Sequence, residues 1–574
     1  MGKKICFYDL DKLVTDRSML TYDAPRNDKW LALPYETADR SGTMLCCGEC
    51  ADPAPIELKV GLTGWYKIYV GMINASYKCQ VGFTVGDRGK TIIKAMPSKA
   101  WGATEYGHRF FYRAVDMTDQ TLTISKPGPY YGFSASISFL EFEEMSESEI
   151  AEYTRKDGGA MYFHFDEGFL GECTYEKDED YLGYLNMLEG CHGGLFCMET
   201  ISSQKVFGKG DQGDTFTDFA QQANVTMEKY HARRSRLKPM IIDRAHELGF
   251  EVYSTNRIQA GDFQLPLARE MVESFYLQGN EALRIETRDG RLVPVLSYAY
   301  EKVRRMAIES IICATEDYDY DGVCLAFHRG VFFGFEAPVR EEVMKKYGMD
   351  ARVLPAADER LHSVWCSYGT QFLRELRAAL DARYGKGKKK ISAIVYADPT
   401  SCRHFGFDVE QWLGEGLVNN VEQGLMMWWE QLDGCLDENG LIDIENYKRE
   451  IRRRTVLMRE YKFKDPEKLL EGALEFEQLC SKYGVDFYAT LGWDEGDPTA
   501  TVALARRFRD AGIKKIFSWN ANRKVPTPAL MNTEKYIAAN FNEGLTGGPE
   551  PIERFRTLKY GDNDISYFDA NWNG

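Results

Sequence analysis

The chain has 574 residues, of which 44% are hydrophobic and 28% are charged, as in a soluble globular protein of two or three domains. Lys and Arg total 71 against 87 Asp and Glu, so the formal net charge is −16. That charge argues against nucleic acid or an anionic membrane as a partner. No stretch reaches the ~18–20 continuous apolar residues of a membrane span.

Residues 1–148 are predicted to form a β-sandwich. Short segments rich in β-branched and aromatic residues alternate with Gly, Pro, Asn or Asp. Helical periodicity is absent before Ser146, where acidic residues follow a serine as they do at a helix start. Strands are expected at residues 56–60, 65–70, 81–85, 122–124 and 137–142.

Residues 149–545 are predicted to form a (β/α)8 TIM barrel, because strands now alternate with helices. The helices expected at 238–248, 466–483 and 499–511 are followed closely by Gly249, Gly484 and Gly512, which suit helix ends. Further helices are expected at 301–314 and 368–384. The eight strands are expected at residues 160–165, 194–198, 251–255, 322–327, 391–397, 417–421, 486–491 and 515–519.

Long insertions follow the second, third and sixth predicted strands, and loops of this length are usually functional. The second insertion is expected to hold a small hairpin around Asp289-Gly290, and the third holds a predicted helix at residues 443–454. The tail, residues 546–574, contains short segments at 556–559 and 565–568 that could form strands. We expect this tail to pack on the sandwich.

Cysteine usage favours a reducing compartment. The 14 cysteines are scattered apart from Cys46, Cys47 and Cys50, and no second pair completes a zinc site with Cys47-x-x-Cys50. The first residues lack the apolar run of a signal peptide. The sequence therefore predicts a cytoplasmic protein, or a secreted or periplasmic one if a signal has been removed.

Polar and aromatic side chains are predicted at the carboxyl ends of the barrel strands, where barrel enzymes place their chemistry. Asp166, Asp398 and Asp494 could instead cap the helices that follow, and Arg329 could pair with a carboxylate of the barrel mouth. Together these groups would suit a polyhydroxylated substrate. In chain order they are Asp166, Glu167, Glu199, Asn256, Arg257, His328, Arg329, Asp398, Glu422, Trp428, Trp429, Trp493, Asp494, Glu495 and Trp519.

No metal or other cofactor is expected. His164-Phe165-Asp166 supplies only one histidine where a metal-dependent hydrolase would carry a His-x-His pair, and the eight histidines show no tight ligand spacing. The acidic run at residues 317–321 resembles the opening of a calcium loop, but the later glycine and glutamate are missing.

Three stretches resemble a known family. Residues 321–329, Asp-Gly-Val-Cys-Leu-Ala-Phe-His-Arg, resemble the Asp-Gly-Ile-x-Leu-Asp-x-x-Arg segment of the family-10-like glycosyl hydrolases. Residues 245–252 look like the family's segment leading into the third strand, and residues 407–412, followed by 415–418, look like the segment leading into the sixth.

The resemblance covers residues 160–525 and implies a barrel with a sugar-processing site. The N-terminal sandwich is similar to the accessory or carbohydrate-binding domains of such enzymes. The chain departs from the family at Ala326, where relatives carry an aspartate, and at Asn419, where an aspartate is common. Arg329 is retained, which fits a residue that faces the substrate.

The favoured function is hydrolysis of an oligosaccharide or glycoconjugate, which usually needs one protonated and one ionised carboxyl group. Glu422 is predicted to be the acid, with its pKa raised by an aromatic wall around Trp428 and Trp429. Asp494 is predicted to be the nucleophile or base. Carboxylates in reserve are Glu199, Asp398 and Glu495, and the residues expected to hold hydroxyl groups are Asn256, His328 and Arg329.

Two other classes of function stay open. A non-catalytic carbohydrate-binding barrel is favoured by Ala326, because the acid of relatives is missing there. A sugar lyase or isomerase would use His328 as a base. The sandwich and the long loops could support a homo-oligomer.

Overall fold

The computed structural model describes residues 2–37, 40–74, 78–95, 106–127, 133–165, 178–202, 205–206, 227–258, 280–290, 292–316, 318–327, 332–355, 358–424, 466–491, 498–518 and 550–558. These residues form an N-terminal β-rich region and a barrel of parallel strands. Within these ranges, none of the helices combines the length and the apolar character that crossing a membrane requires.

The N-terminal region consists mainly of antiparallel strands. Its strands are β1 (Lys4–Phe7), β2 (Leu20–Thr21), β3 (Trp30–Thr37), β4 (Ser41–Cys47), β5 (Ile56–Leu58), β6 (Trp65–Asn74), β7 (Lys78–Val85), β8 (Thr91–Ala95), β9 (Tyr106–Asp116), β10 (Leu122–Ser125), β11 (Phe133–Ile137) and β12 (Phe139–Glu144). Two 3-10 turns, Leu10–Lys12 and Arg17–Met19, precede β2.

All five strands predicted in this region are confirmed, although the last is divided in two. Strand β11 pairs with β4 and β7, whereas β12 pairs with β1 and β6, so the chain changes neighbours at Ser138. The helix start at Ser146 is also confirmed. Ser146 and Glu149 form a capping box that opens helix α1 (Glu147–Thr154), in which each side chain binds the other residue's backbone N–H.

Part of the tail adds a strand to the N-terminal region. Strand β24 (Glu550–Leu558) runs antiparallel to β9 on one side and to β3 on the other. The hydrogen-bonded order is therefore β1-β12-β6-β9-β24-β3-β4-β11-β7-β10-β5, with β2 beside β3 and β8 beside β7. Residues 565–568 lie outside the described residues.

Eight parallel strands close into the predicted barrel. They are β13 (Met161–Phe165), β14 (Gly194–Ser202), β16 (Phe250–Arg257), β19 (Gly322–Ala326), β20 (Lys390–Val395), β21 (Asn420–Gln423), β22 (Asp486–Thr490) and β23 (Ile516–Ser518). Each strand pairs with the next along the chain, and β13 pairs with both β14 and β23, which closes the ring. A short strand β15 (Lys205–Val206) pairs with the end of β14.

Helices connect the barrel strands. They are α2 (Asp178–Tyr181), α3 (Gly183–Asn186), α4 (Met227–Glu247), α5 (Glu301–Glu316), α6 (Ala337–Tyr347), α7 (Glu359–Tyr384), α8 (Pro399–His404), α9 (Val409–Gly414), α10 (Pro466–Tyr483) and α11 (Pro498–Asp510). Gly249, Gly484 and Gly512 have positive φ after their helices, as predicted. The helix expected at 443–454 lies outside the described residues.

The hairpin expected around Asp289-Gly290 is confirmed as the pair of strands β17 (Arg284–Glu286) and β18 (Leu292–Leu296). Two 3-10 turns, Glu281–Leu283 and Ala351–Val353, complete the described elements of the barrel region.

The predicted position of the sixth strand was wrong by about three residues. Leu417 and Val418 are buried against the helices outside the barrel, before β21 begins. Asn419 then anchors the strand, because its Oδ1 accepts from the N–H of Ile391 at 2.8 Å and its own N–H donates to the Ile391 carbonyl at 2.7 Å. The apolar run at Leu417 and Val418 therefore placed the predicted strand too early. Glu422, which was expected after the strand, lies within β21.

Alternate residues of the barrel strands face opposite sides. The outward-facing set packs against the helices in one large core, which includes Phe163, Val323, Val421 and Phe487. The inward-facing set forms a separate buried cluster inside the barrel, made of Tyr162, Leu195, Cys197, Tyr253, Cys324, Ala326, Ile394, Tyr488 and Phe517.

The N-terminal region contacts the barrel through apolar and charged groups. Ile92 of β8 is buried in the same core as the outer face of the barrel. Glu189, after α3, bridges two arginines of the β-rich region. Its carboxylate lies 3.0 Å from Nε of Arg113 and 2.9 Å from Nη1 of Arg88.

Asp321, at the start of β19, ties together the amino ends of two strands. Its Oδ2 accepts from the Val252 N–H at 2.8 Å and lies 2.9 Å from Nε2 of His246. Burial alone would raise the pKa of Asp321, but the hydrogen bonds from His246 and Val252 outweigh it and lower that pKa. The hydrogen bond to Asp321 raises the pKa of His246 above its usual 6.5.

This pair predicts a pH-dependent stability. His246 has a raised pKa in the folded state, so its contribution is complete below its unfolded pKa and is lost as pH rises through its folded pKa. We expect His246→Gln to lower the urea midpoint more at pH 5.5 than at pH 8.5. An equal loss at both pH values would show that the ion pair contributes nothing measurable.

Candidate functional site in the barrel interior

Glu422 points into the barrel. It is the third residue of β21, and its neighbours Val421 and Gln423 face outward. Val421 belongs to the outer core, and Gln423 donates to the Leu469 carbonyl on α10. By strand alternation the side chain of Glu422 lies inside, and the residue is 0% exposed.

The two carboxyl oxygens of Glu422 differ in their surroundings. Ser392 Oγ, on the neighbouring strand β20, donates a hydrogen bond to Oε1. Oε2 is buried and has no hydrogen-bond partner within the described part of the chain. An ionised carboxyl with so few donors is unfavourable in an apolar interior.

Burial raises the pKa of Glu422 to about 8, and the hydrogen bond from Ser392 opposes that rise. The group therefore keeps its proton at neutral pH, which is the state that a general acid needs. The prediction attributed the raised pKa to Trp428 and Trp429, which lie outside the described residues. The described cause is burial inside the barrel.

The groups facing Glu422 are neutral. Burial raises the pKa of Tyr162, Cys324 and Tyr488 well above the usual values, and the nearby Glu422 adds to each rise. The Tyr162 hydroxyl is also in contact with Sγ of Cys197. Because no described cation faces the carboxyl, its ionised form gains no ion pair there, and the hydrogen bond from Ser392 offsets only part of the cost of burial.

Charged pairs stand at the amino end of the barrel. Lys390 Nζ lies 2.5 Å from Glu251 Oε1, and Lys515 Nζ lies 2.5 Å from Asp486 Oδ2. The Tyr253 hydroxyl donates to Glu251 Oε2 at 2.9 Å. These contacts occupy the end of the barrel opposite to the strand termini at which active sites form.

Ala326 faces the same interior as Glu422. Along the sheet, Ala326 is paired with Ile394 of β20, and Ile394 is paired with Glu422 of β21. All three are 0% exposed. The side of the interior formed by Ala326 and Ile394 therefore offers Glu422 only apolar contact.

Asp398 caps a helix. Its Oδ1 accepts from the backbone N–H of Ser401 at 2.7 Å, and its Oδ2 accepts from the Ser401 hydroxyl at 2.6 Å. Both oxygens thus stabilise the first turn of α8, which is the alternative that the sequence left open for this residue. No described contact brings Asp398 to Glu422.

Asn256 and Arg257 lie within β16 and not beyond its end. Asn256 is 0% exposed, and its Nδ2 donates to the Ser254 carbonyl at 2.9 Å and to the Cys324 carbonyl at 3.4 Å. Arg257 is 4% exposed. The Asn256 amide therefore contributes to the strand network of the barrel wall.

Glu199 lies within β14, beside a register shift between β14 and β16. The remaining predicted site residues fall outside the described residues. They are Asp166, Glu167, His328, Arg329, Trp428, Trp429, Trp493, Asp494, Glu495 and Trp519.

Two neighbours of Glu422 were missed by the sequence analysis. Ser392 and Tyr162 were not singled out, because both lie inside strands and the site residues were expected at strand ends. Alternation would have found Ser392, since it shares the inward face of β20 with Ile394. In the described ranges, no group of three or more His, Cys, Asp or Glu side chains could hold a metal ion.

The fold and the interior together define a TIM-barrel protein with a protonated glutamate among its inward-facing side chains. No protein-family model matches the chain. No curated protein matches it either.

Solved structures similar to the chain include glycoside hydrolases, all at low sequence identity. One is the glycoside hydrolase domain of PgaB (BpsB) from Bordetella bronchiseptica, at 12% identity and a TM-score of 0.39, with 66% of this chain and 98% of that chain covered. Another is the noncanonic maltogenic alpha-amylase AmyB from Thermotoga neapolitana, at 13% identity and a TM-score of 0.33. That match covers 67% of this chain and 76% of that chain.

A third similar structure is the GH36 alpha-galactosidase AgaB from Geobacillus stearothermophilus, at 10% identity and a TM-score of 0.33. The match covers 87% of this chain and 63% of that chain. At such identities and TM-scores these likenesses carry no conclusion about the activity of the chain.

Proposed function

We propose that the protein is a glycoside hydrolase in which Glu422 is the general acid. The observation that carries the proposal is the Glu422 carboxyl, which is fully buried inside a TIM barrel, has a pKa of about 8 and keeps one oxygen unpartnered in the described structure. A glycosidic bond breaks when its leaving oxygen is protonated, and an acid that holds its proton at neutral pH can donate it.

The second carboxyl of the reaction is proposed to be Asp494, with Glu199 or Glu495 in its place if Asp494 does not reach the substrate. Its task is to remain ionised and either attack the sugar or activate a water molecule. The distance between the two carboxyl groups would decide the outcome, since ~5–5.5 Å favours retention and roughly 6.5–9.5 Å favours inversion.

The proposed substrate is an oligosaccharide or glycoconjugate. Its hydroxyl groups would be bound by residues near the strand ends, and its rings would stack on indoles. We propose that the N-terminal β-rich region is a β-sandwich accessory domain that binds the same kind of carbohydrate. The residues proposed for the barrel mouth are Asp166, Glu167, Arg257, His328, Arg329, Trp428, Trp429, Trp493 and Trp519.

The experiment is a glycan panel in which wild type and Glu422→Gln are compared for release of reducing sugar and for binding by calorimetry. The proposal expects at least one glycan to be hydrolysed by the wild type, with turnover lost and affinity retained in the variant. A glycan hydrolysed equally by both proteins would remove Glu422 from the role of acid.

A non-catalytic carbohydrate-binding barrel is the second candidate. It is supported by Ala326, because the interior near Glu422 presents an apolar surface there and no described second carboxylate. Binding without release of reducing sugar in the same panel would favour it. A third candidate is a sugar lyase or isomerase that uses His328 as a base. The mass of the product distinguishes it from a hydrolase, because only hydrolysis adds water.

A further inference from the structure

Ser392 is placed to control the proton of Glu422. It lies on β20, is 0% exposed and shares the inward face of its strand with Ile394. Ser392 is directly paired with Asn420, so Glu422 is its diagonal neighbour two residues further along β21. Such diagonal pairs lie within reach of a longer side chain, and the Ser392 hydroxyl donates to Glu422 Oε1.

This hydrogen bond makes the two oxygens of Glu422 unequal. A serine hydroxyl has one proton to donate, and here that proton is directed at Oε1. An oxygen that accepts a hydrogen bond is the poorer place for the carboxyl's own proton. Oε2, which has no partner in the described structure, is then the oxygen that carries it.

We propose that Ser392 is the positioning residue of the acid: it holds Oε1 of Glu422 and so directs the transferable proton to Oε2. Its catalytic consequence rests on the function proposed above, whereas its effect on the ionisation of Glu422 does not. Without Ser392 the carboxyl could turn, and its proton could be held on either oxygen.

The surroundings single out Ser392 as the described neighbour that favours the ionised form. The titratable groups facing Glu422 inside the barrel are Tyr162 on β13, Cys324 on β19 and Tyr488 on β22, while Cys480 on α10 lies nearby in the outer core, and burial raises the pKa of each. All four are neutral at physiological pH. The hydrogen bond from Ser392 lowers the pKa of Glu422, so its removal has a defined sign.

The test is Ser392→Ala, with Ser392→Thr as the variant that keeps a hydroxyl. The ionisation of Glu422 is followed by the carboxyl carbon signal of ¹³C-labelled glutamate in the full-length protein, assigned by its loss in Glu422→Gln. A hydrogen bond to an ionised group is stronger than one to a neutral group, so we expect the alanine variant to titrate about one unit higher than wild type. The threonine variant is expected to titrate near wild type.

In the same variants, the alkaline limb of kcat/KM on a hydrolysed glycan should move in parallel. An unchanged titration in Ser392→Ala would overturn the proposal, because a serine that only fills space has no reason to affect ionisation. A raised pKa of Glu422 in Ser392→Ala, in a protein that turns over no glycan, would support the role of Ser392 and contradict the proposed hydrolase. A shift in both alanine and threonine variants would assign the effect to packing and also overturn the proposal.

Discussion

Glu422→Gln is expected to lower kcat on glycans with poor leaving groups by roughly 10²–10⁴-fold, the range in which a general acid contributes. Glutamine has nearly the same size and can still accept from Ser392, but it has no proton to transfer. The loss should be far smaller on aryl glycosides such as 2,4-dinitrophenyl glycosides, whose leaving group departs without protonation. Measured kcat values on the two kinds of substrate check the prediction.

A matched control is Glu336→Gln. Glu336 is also 0% exposed, and burial raises its pKa to about 6. It lies at the start of α6, where it accepts from the Gly334 and Glu286 backbone N–H groups and has no described contact with Glu422. We expect kcat to be unchanged in this control. Equal losses on both kinds of substrate in Glu422→Gln would show that the residue is needed for folding or binding and not for proton donation.

The stability of Glu422→Gln is expected to depend less on pH than that of the wild type. A carboxyl whose folded pKa is raised stabilises fully only below its unfolded pKa, and that contribution is lost as pH rises through about 8. Glutamine does not ionise, so Glu422→Gln should lose less of its free energy of unfolding than the wild type does when the pH is raised from 7 to 9. Urea midpoints at the two pH values therefore separate a folded, inactive variant from an unfolded one.

Phe327→Ala is expected to lower the free energy of unfolding by about 3–5 kcal/mol, as other large aromatic truncations in cores do. Phe327 follows β19 and is 0% exposed. Its ring centroid lies 4.8 Å from that of Phe407, 5.3 Å from that of Trp412 and 5.6 Å from that of Phe332. The ring thus joins the end of a barrel strand to α9 and to the loops around it.

Urea denaturation followed by tryptophan fluorescence measures this loss. The control is Val353→Ala, because Val353 is 71% exposed and surface substitutions usually change stability by less than ~0.5 kcal/mol. A loss below about 1 kcal/mol in Phe327→Ala would mean that the surrounding rings close over the cavity, and that this aromatic group does not support the strand end.

Local signals predicted much of the fold. Helix α10 has the bounds that the sequence predicted, and the acidic residues after Ser146 correctly indicated the start of α1. The barrel could be predicted because buried parallel strands are short apolar runs that alternate with helices. The sixth strand was misplaced since Leu417 and Val418 are equally apolar and are buried outside the barrel.

The candidate site was harder to predict because it depends on which face of a strand each residue occupies. Glu422 was identified as an acid, but it was expected beyond the strand and beside tryptophans. A displacement of the strand by three residues hid its position inside the barrel. Ser392 is 30 residues earlier in the chain, so its hydrogen bond to Glu422 is a purely tertiary contact.

The role of Asp398 was hard to predict for a different reason, because its position in the chain fits two roles. An aspartate directly after a barrel strand fits both a catalytic carboxylate and a helix cap, and Pro399 with Ser401 favours the cap. The described hydrogen bonds engage both oxygens in that cap. Composition alone could not separate the two roles, because each uses the same residue at the same place.

The central claim, that Glu422 donates a proton during glycoside hydrolysis, is tested most directly by the pH dependence of kcat/KM on a glycan with a poor leaving group. The wild type should show an alkaline limb near pH 8, the pKa to which burial raises Glu422. The residual activity of Glu422→Gln should lack that limb. A variant that keeps both the wild-type rate and the limb near pH 8 would contradict the claim.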